Sequence, residues 1–185
     1  DHFALDENYS LALDIGAGLN LSQVNSFLSN SSKSDIFPEF SESKKDLIRD
    51  SLSDWGEISN ISFTEVSESD GGYGDFRFFQ FDKDKINKEI KGVFPEDASG
   101  YSYLPNYFGN LAIIGDVFLD SNIEPGDGFY EYLISHEIGH SLGLTHPFDG
   151  YLENQGLDKT HLTIMGYDDY GPLAMEPMQE DISAM

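Results

Sequence analysis

The 185-residue chain is long enough for one domain with a sizeable buried core, and its 39% hydrophobic content argues against a disordered chain. Thirty-four acidic against ten basic residues give a formal charge of −24, which repels phosphate backbones and argues against a nucleic-acid partner. There is no cysteine, so disulfides and thiolate metal sites are excluded, and no apolar run approaches the length of a membrane span.

The opening residues, DHFALDENYS, lack the basic-then-apolar pattern of an export signal, and His2 reads as a free residue near a terminus. Leu11, Leu13 and Ile15 alternate with small or polar residues, which predicts a half-buried strand. A Ser-, Asn- and Gly-rich connection follows from Gly16 to Phe40, with a short helix near Leu21–Leu28. Leu47, Ile48, Ser51, Leu52 and Trp55 recur at helical spacing, with Ser41 or Ser43 as N-cap and Gly56 as the stop. Strands are predicted at Ile61–Val66 and Phe76–Phe81, joined by a turn at Asp70–Gly74. DKDKIN at 82–87 starts like an EF-hand loop, but Ile86 stands where a ligand is needed and no glycine follows, so a solvated surface is expected. An edge strand at Ser99–Leu104, backed by Pro105, precedes an apolar strand at Leu111–Leu119. Asp127 is placed to cap a helix from about Gly128 to Leu142, and Pro177 to start a last helix reaching Met185.

Three of the five histidines fall in HEIGHSLGLTHP, residues 136–147. Residues four apart share a helix face, so His136 and His140 project together, with Glu137 beside them within reach of a water on a metal. A third ligand needs the chain to turn. Gly143 can stop the helix with positive φ, and three residues later His146 returns towards the pair, fixed by Pro147. Phe129, Leu133, His136 and His140 form one ridge of the helix, so apolar turns lead to the ligands at a cleft floor. Three imidazoles around one point suit Zn²⁺, which takes nitrogen ligands in a tetrahedral array and leaves a position open for water. His161 stands outside this pattern and reads as a loop histidine.

HExxHxxGxxHP resembles the zinc signature of metzincin metalloproteases, and TIMGY at 163–167 resembles their Met-turn. Pro147 and Tyr167 are similar to serralysins rather than to astacins or matrixins. DWGEISNISFTEV (54–66), YLPN (103–106) and MQEDISAM (178–185) extend the likeness over most of residues 41–185, while residues 1–40 match only loosely. The segment between Pro147 and the Met-turn is shorter than a serralysin's, and the likeness lacks that family's N-terminal helix region. The chain also stops within the final helix, before the calcium-binding β-roll that follows there.

The resemblance implies an α+β metzincin catalytic domain spanning 1–185. It would have a mixed, mostly parallel five-stranded sheet with an antiparallel edge strand, an active-site helix and a C-terminal helix. It implies Zn²⁺ on His136, His140 and His146, with Tyr167 as a movable fourth protein ligand and oxyanion donor. Met165 becomes a hydrophobic base, and Glu137 the general base of a secreted, extracellular, monomeric endopeptidase acting on proteins or peptides. A propeptide or protein inhibitor and an added Ca²⁺ are compatible with it. Two other classes remain open: a catalytically inactive metal-binding module that recognises peptides, and an acidic domain stabilised by calcium around residues 116–127.

Overall fold

A computed structural model describes residues 2–5, 37–67, 74–89, 98–105, 115–148, 158–167 and 172–185. The strand expected at Leu11–Ile15 and the short helix near Leu21–Leu28 lie outside these residues, as does most of the turn at 70–74.

The first described strand, β1 (His2–Leu5), lies ahead of the one predicted, so His2 is part of a strand rather than a free terminal residue. Helix α1 spans Glu42–Ser59, and Ser41 caps it: the Lys44 amide donates to Ser41 Oγ at 3.3 Å. It does not stop at Gly56. The stop comes at Asn60, whose left-handed conformation (φ 56°) ends the helix one turn later than glycine content suggested. Ile48, Ser51, Leu52 and Trp55 form its buried stripe at the expected i, i+3, i+4, i+7 spacing. The strand expected at Ile61–Val66 is reduced to β2 (Thr64–Glu65), both of whose residues are exposed.

Strand β3 (Phe76–Phe81) is buried at all six positions, with Arg77 and Gln80 enclosed among four phenylalanines. DKDKIN is not a surface loop. It forms helix α2 (Lys83–Glu89), started by Asp82, whose Oδ1 accepts from the Lys85 amide at 3.0 Å, and anchored by fully buried Ile86. Strand β4 (Gly100–Ser102) lies within the expected edge segment. The next strand, β5 (Asp116–Asp120), takes the end of its predicted run. Helix α3 (Phe129–Ser141) begins where Asp127 Oδ1 accepts from the Phe129 amide at 3.0 Å, and α4 (Gln179–Ala184) follows Pro177.

The strands form one mixed sheet in the order β2-β1-β3-β5-β4. Neighbours run parallel except β4, which is antiparallel to β5 and lies at the edge. The α+β class expected from sequence therefore stands, with a small mixed sheet and several helices. Helix α3 packs on α1 on one side and on β4 and β5 on the other. Trp55 fixes the first contact: its indole N–H donates to Ser135 O and Oγ, both at 3.1 Å. The core runs from Ile48, Leu52 and Trp55 through Phe78, Val117 and Leu119 to Ile134, Ile138, Ile164 and Met165. This layering carries the end of α3 to the edge of the sheet.

Candidate metal centre

The C-terminal turns of α3 are where the histidines meet. Helix α3 ends in a paired closure: the Leu144 amide donates to Gly139 O and the Gly143 amide to His140 O, each at 2.9 Å. That closure requires a left-handed residue, and Gly143 supplies it with φ 105°. The chain then doubles back and carries His146 to the helix, as the spacing predicted.

His136, His140 and His146 each offer a nitrogen to one cluster, with ligand atoms within 4.8 Å of one another. His140 Nε2 lies 3.0 Å from His146 Nε2, which lies 3.3 Å from His136 Nε2. The opposite nitrogens of the first two are anchored. His136 Nδ1 is 2.9 Å from Ile164 O and His140 Nδ1 is 2.8 Å from Leu144 O. A carbonyl only accepts, so each Nδ1 carries the proton and each Nε2 keeps its lone pair. Burial holds His136 far below an ordinary imidazole, at about 3, and the neighbouring His140 adds to this. The ring is therefore neutral, the form that binds metal. Tetrahedral zinc–nitrogen bonds of about 2.0–2.1 Å would set neighbouring nitrogens about 3.3 Å apart. The donor set fits such an ion in both chemistry and spacing.

Glu137 projects beside the triad and is buried. Its Oε2 accepts a hydrogen bond from Ser102 Oγ of β4 at 2.9 Å. Burial pushes its carboxyl up to about 8, against the lowering effect of that hydroxyl. A cation held by the histidines would act in the opposite sense and favour the carboxylate.

Two stretches underlie the site. Met165 is buried beneath α3, and its sulfur would come within 2.7 Å of a Cβ added at Gly139, where the Trp55 ring would lie at 3.2 Å. Only a residue without a side chain lets the helix approach this closely. The turn itself is tied to α4 by Asp181, which accepts from Thr163 Oγ1 at 2.5 Å and from the Ile164 and Met178 amides at 2.8 Å. Tyr167 closes the turn, largely exposed, with its ring 5.4 Å from that of His136 and 4.7 Å from that of His146. Its amide donates to Asp158 Oδ1 at 2.7 Å. Phe148 stacks on His146 from another side at 4.7 Å. His161 is exposed and outside the cluster.

All of this opens into a cavity of about 650 Å³. The predicted ridge of Phe129, Leu133, His136 and His140 lines it, opposite β4. Sequence reading missed Ser102, Gly139 and Asp181. Gly139 was visible as the small residue inside HEIGH, whereas nothing in GYS marks Ser102 as the partner of a carboxylate thirty-five residues away.

No family model matches the chain. It is 33% identical over 173 residues to the serralysin of Proteus mirabilis, covering 80% of this chain and 34% of that protein. Serralysin A of Dickeya chrysanthemi is 28% identical over 152 residues, covering 72% and 30%. Metallopeptidase AprA of Pseudomonas marginalis is 26% identical over 135 residues, covering 73% and 27%. The chain thus spans about a third of the length of the curated relatives it matches. Over the stretch they share, it is a serralysin-like metzincin domain.

Proposed function

We propose that this chain is the catalytic domain of a zinc-dependent endopeptidase that hydrolyses peptide bonds of proteins, with residues 1–185 as one unit. The observation that carries the reading is the convergence of three imidazole Nε2 atoms beside a buried glutamate on one cavity wall. The strand order, with β4 antiparallel at the edge, supports reading the five strands as the metzincin sheet.

His136, His140 and His146 hold the ion. When bound, zinc supplies Lewis-acid polarisation of the scissile carbonyl and lowers the pKa of a water towards about 7. Glu137 accepts the proton of the attacking water and returns it to the leaving amine. Tyr167, exposed, stacked on His136 and tilted against His146, would serve as the movable further ligand and donate to the tetrahedral oxyanion. Met165 forms the apolar floor. An extended peptide would pair with the outer edge of β4 through main-chain hydrogen bonds, which places its scissile bond along the cavity. The serralysin relatives favour this reading over an astacin or matrixin type, and the same reading includes a secreted, extracellular protein working as a monomer. A propeptide or protein inhibitor would occupy the same groove. Ca²⁺ would be a second, separate ion.

The test is metal analysis combined with a casein digest, with and without chelator. We expect about one zinc per chain and hydrolysis that the chelator abolishes. Glu137→Ala should keep its zinc and lose activity by about two to four orders of magnitude. Full activity in that variant would remove Glu137 from the base role. Zinc without hydrolysis in the wild type would instead indicate an inactive peptide-binding module.

A further inference from the structure

The edge strand and the glutamate meet at two points, and the established signature uses neither. Gly100 and Ser102 are two apart, so they face the same side of β4, towards α3. Ser102, only 9% exposed, donates its hydroxyl to Glu137 Oε2 at 2.9 Å. At Gly100 an added Cβ would lie 2.8 Å from Glu137 Oε1 and 2.9 Å from Leu133 Cδ1. The carboxylate is therefore pressed against the strand at one oxygen and hydrogen-bonded at the other. This is a cradle, and it fixes which face of the carboxylate looks into the cavity.

We propose that Ser102 is a positioning residue for Glu137, orienting the carboxylate from the strand along which the substrate lies; the proposal rests on the endopeptidase reading above. Three features of the arrangement support it. First, a glutamate has three side-chain torsions, and helix packing near its Cα does not set the last of them; a directional hydrogen bond does. Second, a hydroxyl beside an ionised carboxylate donates a charge-assisted bond, stronger than a neutral one, so the orientation persists while Glu137 is ready to accept a proton. The serine takes one lone pair of Oε2, which leaves the other lone pairs of the carboxylate to take the proton from water. Third, the partner comes from β4 itself. A substrate that pairs with this strand settles the backbone that carries Ser102, so the base is aligned on the side from which the peptide arrives. Misplacing a catalytic group by about 1 Å can cost a hundredfold in rate, so one hydrogen bond at this point has leverage on turnover.

Ser102 acts on the reaction through Glu137, so its removal should act on turnover alone. The experiment compares zinc-loaded Ser102→Thr and Ser102→Val, which are similar in shape and β-branching and differ in the hydroxyl, alongside Ser102→Ala. Casein-derived peptide hydrolysis, zinc content and melting temperature are measured for each. We expect kcat to fall about tenfold in Ser102→Ala and Ser102→Val, with KM within about twofold and zinc unchanged. Ser102→Thr should recover most of the lost turnover. Equal rates in the threonine and valine variants would overturn the proposal, as would a rise in KM with kcat intact or a rate loss that merely follows lost zinc. Glu137→Gln serves as the separate control. If that variant hydrolyses peptide at the wild-type rate, the base assignment fails, whatever Ser102 does.

Discussion

Among the described residues, two groups of polar side chains wholly or partly withdrawn from solvent meet their surroundings in opposite ways. In the sheet, Arg77 and Asp116 face each other across β3 and β5 as direct register partners. Arg77 Nε reaches Asp116 Oδ1 at 2.7 Å and Nη2 reaches Oδ2 at 2.5 Å, so the fork closes on the carboxylate. Lys44 behaves alike, its ammonium shared among Gln80 Oε1, Ser121 O and Glu124 Oε1. At the end of α3, His136 and His140 each spend one nitrogen on a backbone carbonyl and, with His146, turn the other towards a common point. A buried cluster that satisfies itself is architecture. One whose lone pairs converge is a receptor for a cation.

The contrast is broken most severely at the histidines. His140→Ala should reduce bound zinc from about one per chain to below a tenth after dialysis and abolish hydrolysis, while the metal-free fold persists. The far-UV circular dichroism of metal-free wild type and variant should coincide. Zinc retained at full occupancy would mean that the convergence does not hold the ion. In the sheet, Asp116→Ala leaves an arginine buried without its partner and should cost about 3–5 kcal/mol in urea unfolding. The fraction still folded should bind zinc normally. Loss of zinc from folded Asp116→Ala would erase the distinction between the two regions.

How far sequence alone reached follows from the same contrast. Local periodicity exposed the pairing of His136 with His140, because an i, i+4 spacing on a helix determines which side chains meet. The return of His146 to the pair was legible through Gly143, a position whose φ of 105° the closure demands. Strand β3 was legible at its bounds because four phenylalanines in six residues favour a strand, although Arg77 and Gln80 are buried among them. What was hidden depended on tertiary approach. Gly56 looked like a stop, yet the helix held until Asn60, since an isolated glycine costs only about 1 kcal/mol and packing outweighs it. DKDKIN read as a polar loop because one buried residue, Ile86, is too short a signal to mark a helix. Ser102 and Asp181 find partners 35 and 17–18 residues away, distances over which no periodicity reports.

Gly139 sharpens the comparison from beneath, because it lies between the ligands and the core. Gly139→Ala places a methyl 2.7 Å from Met165 Sδ and 3.2 Å from Trp55 Cζ2. Overpacking of this kind costs about 1–3 kcal/mol, and the better helix propensity of alanine returns about 1 kcal/mol. A net loss of about 1 kcal/mol in urea unfolding is expected, with weakened zinc binding in chelator competition. A more stable variant with unchanged zinc affinity would show that the floor yields and does not set the site.

The effect expected at Tyr167, which belongs to neither set, is confined to turnover and leaves stability alone. It is 56% exposed, and its ring lies against His136 and His146. Tyr167→Phe keeps that ring contact and removes only the hydroxyl, so zinc content and melting temperature should not change. If the hydroxyl donates to the oxyanion, its loss removes an interaction made only in the transition state, which lowers kcat and kcat/KM together. A decrease of about tenfold, equivalent to about 1.4 kcal/mol, is expected with KM within about twofold. Steady-state kinetics on one peptide separates the cases. A rise in KM alone would assign the tyrosine to substrate binding, and an unchanged rate would leave its aromatic ring as the part that matters, a cover over two ligands whose lone pairs already converge without it.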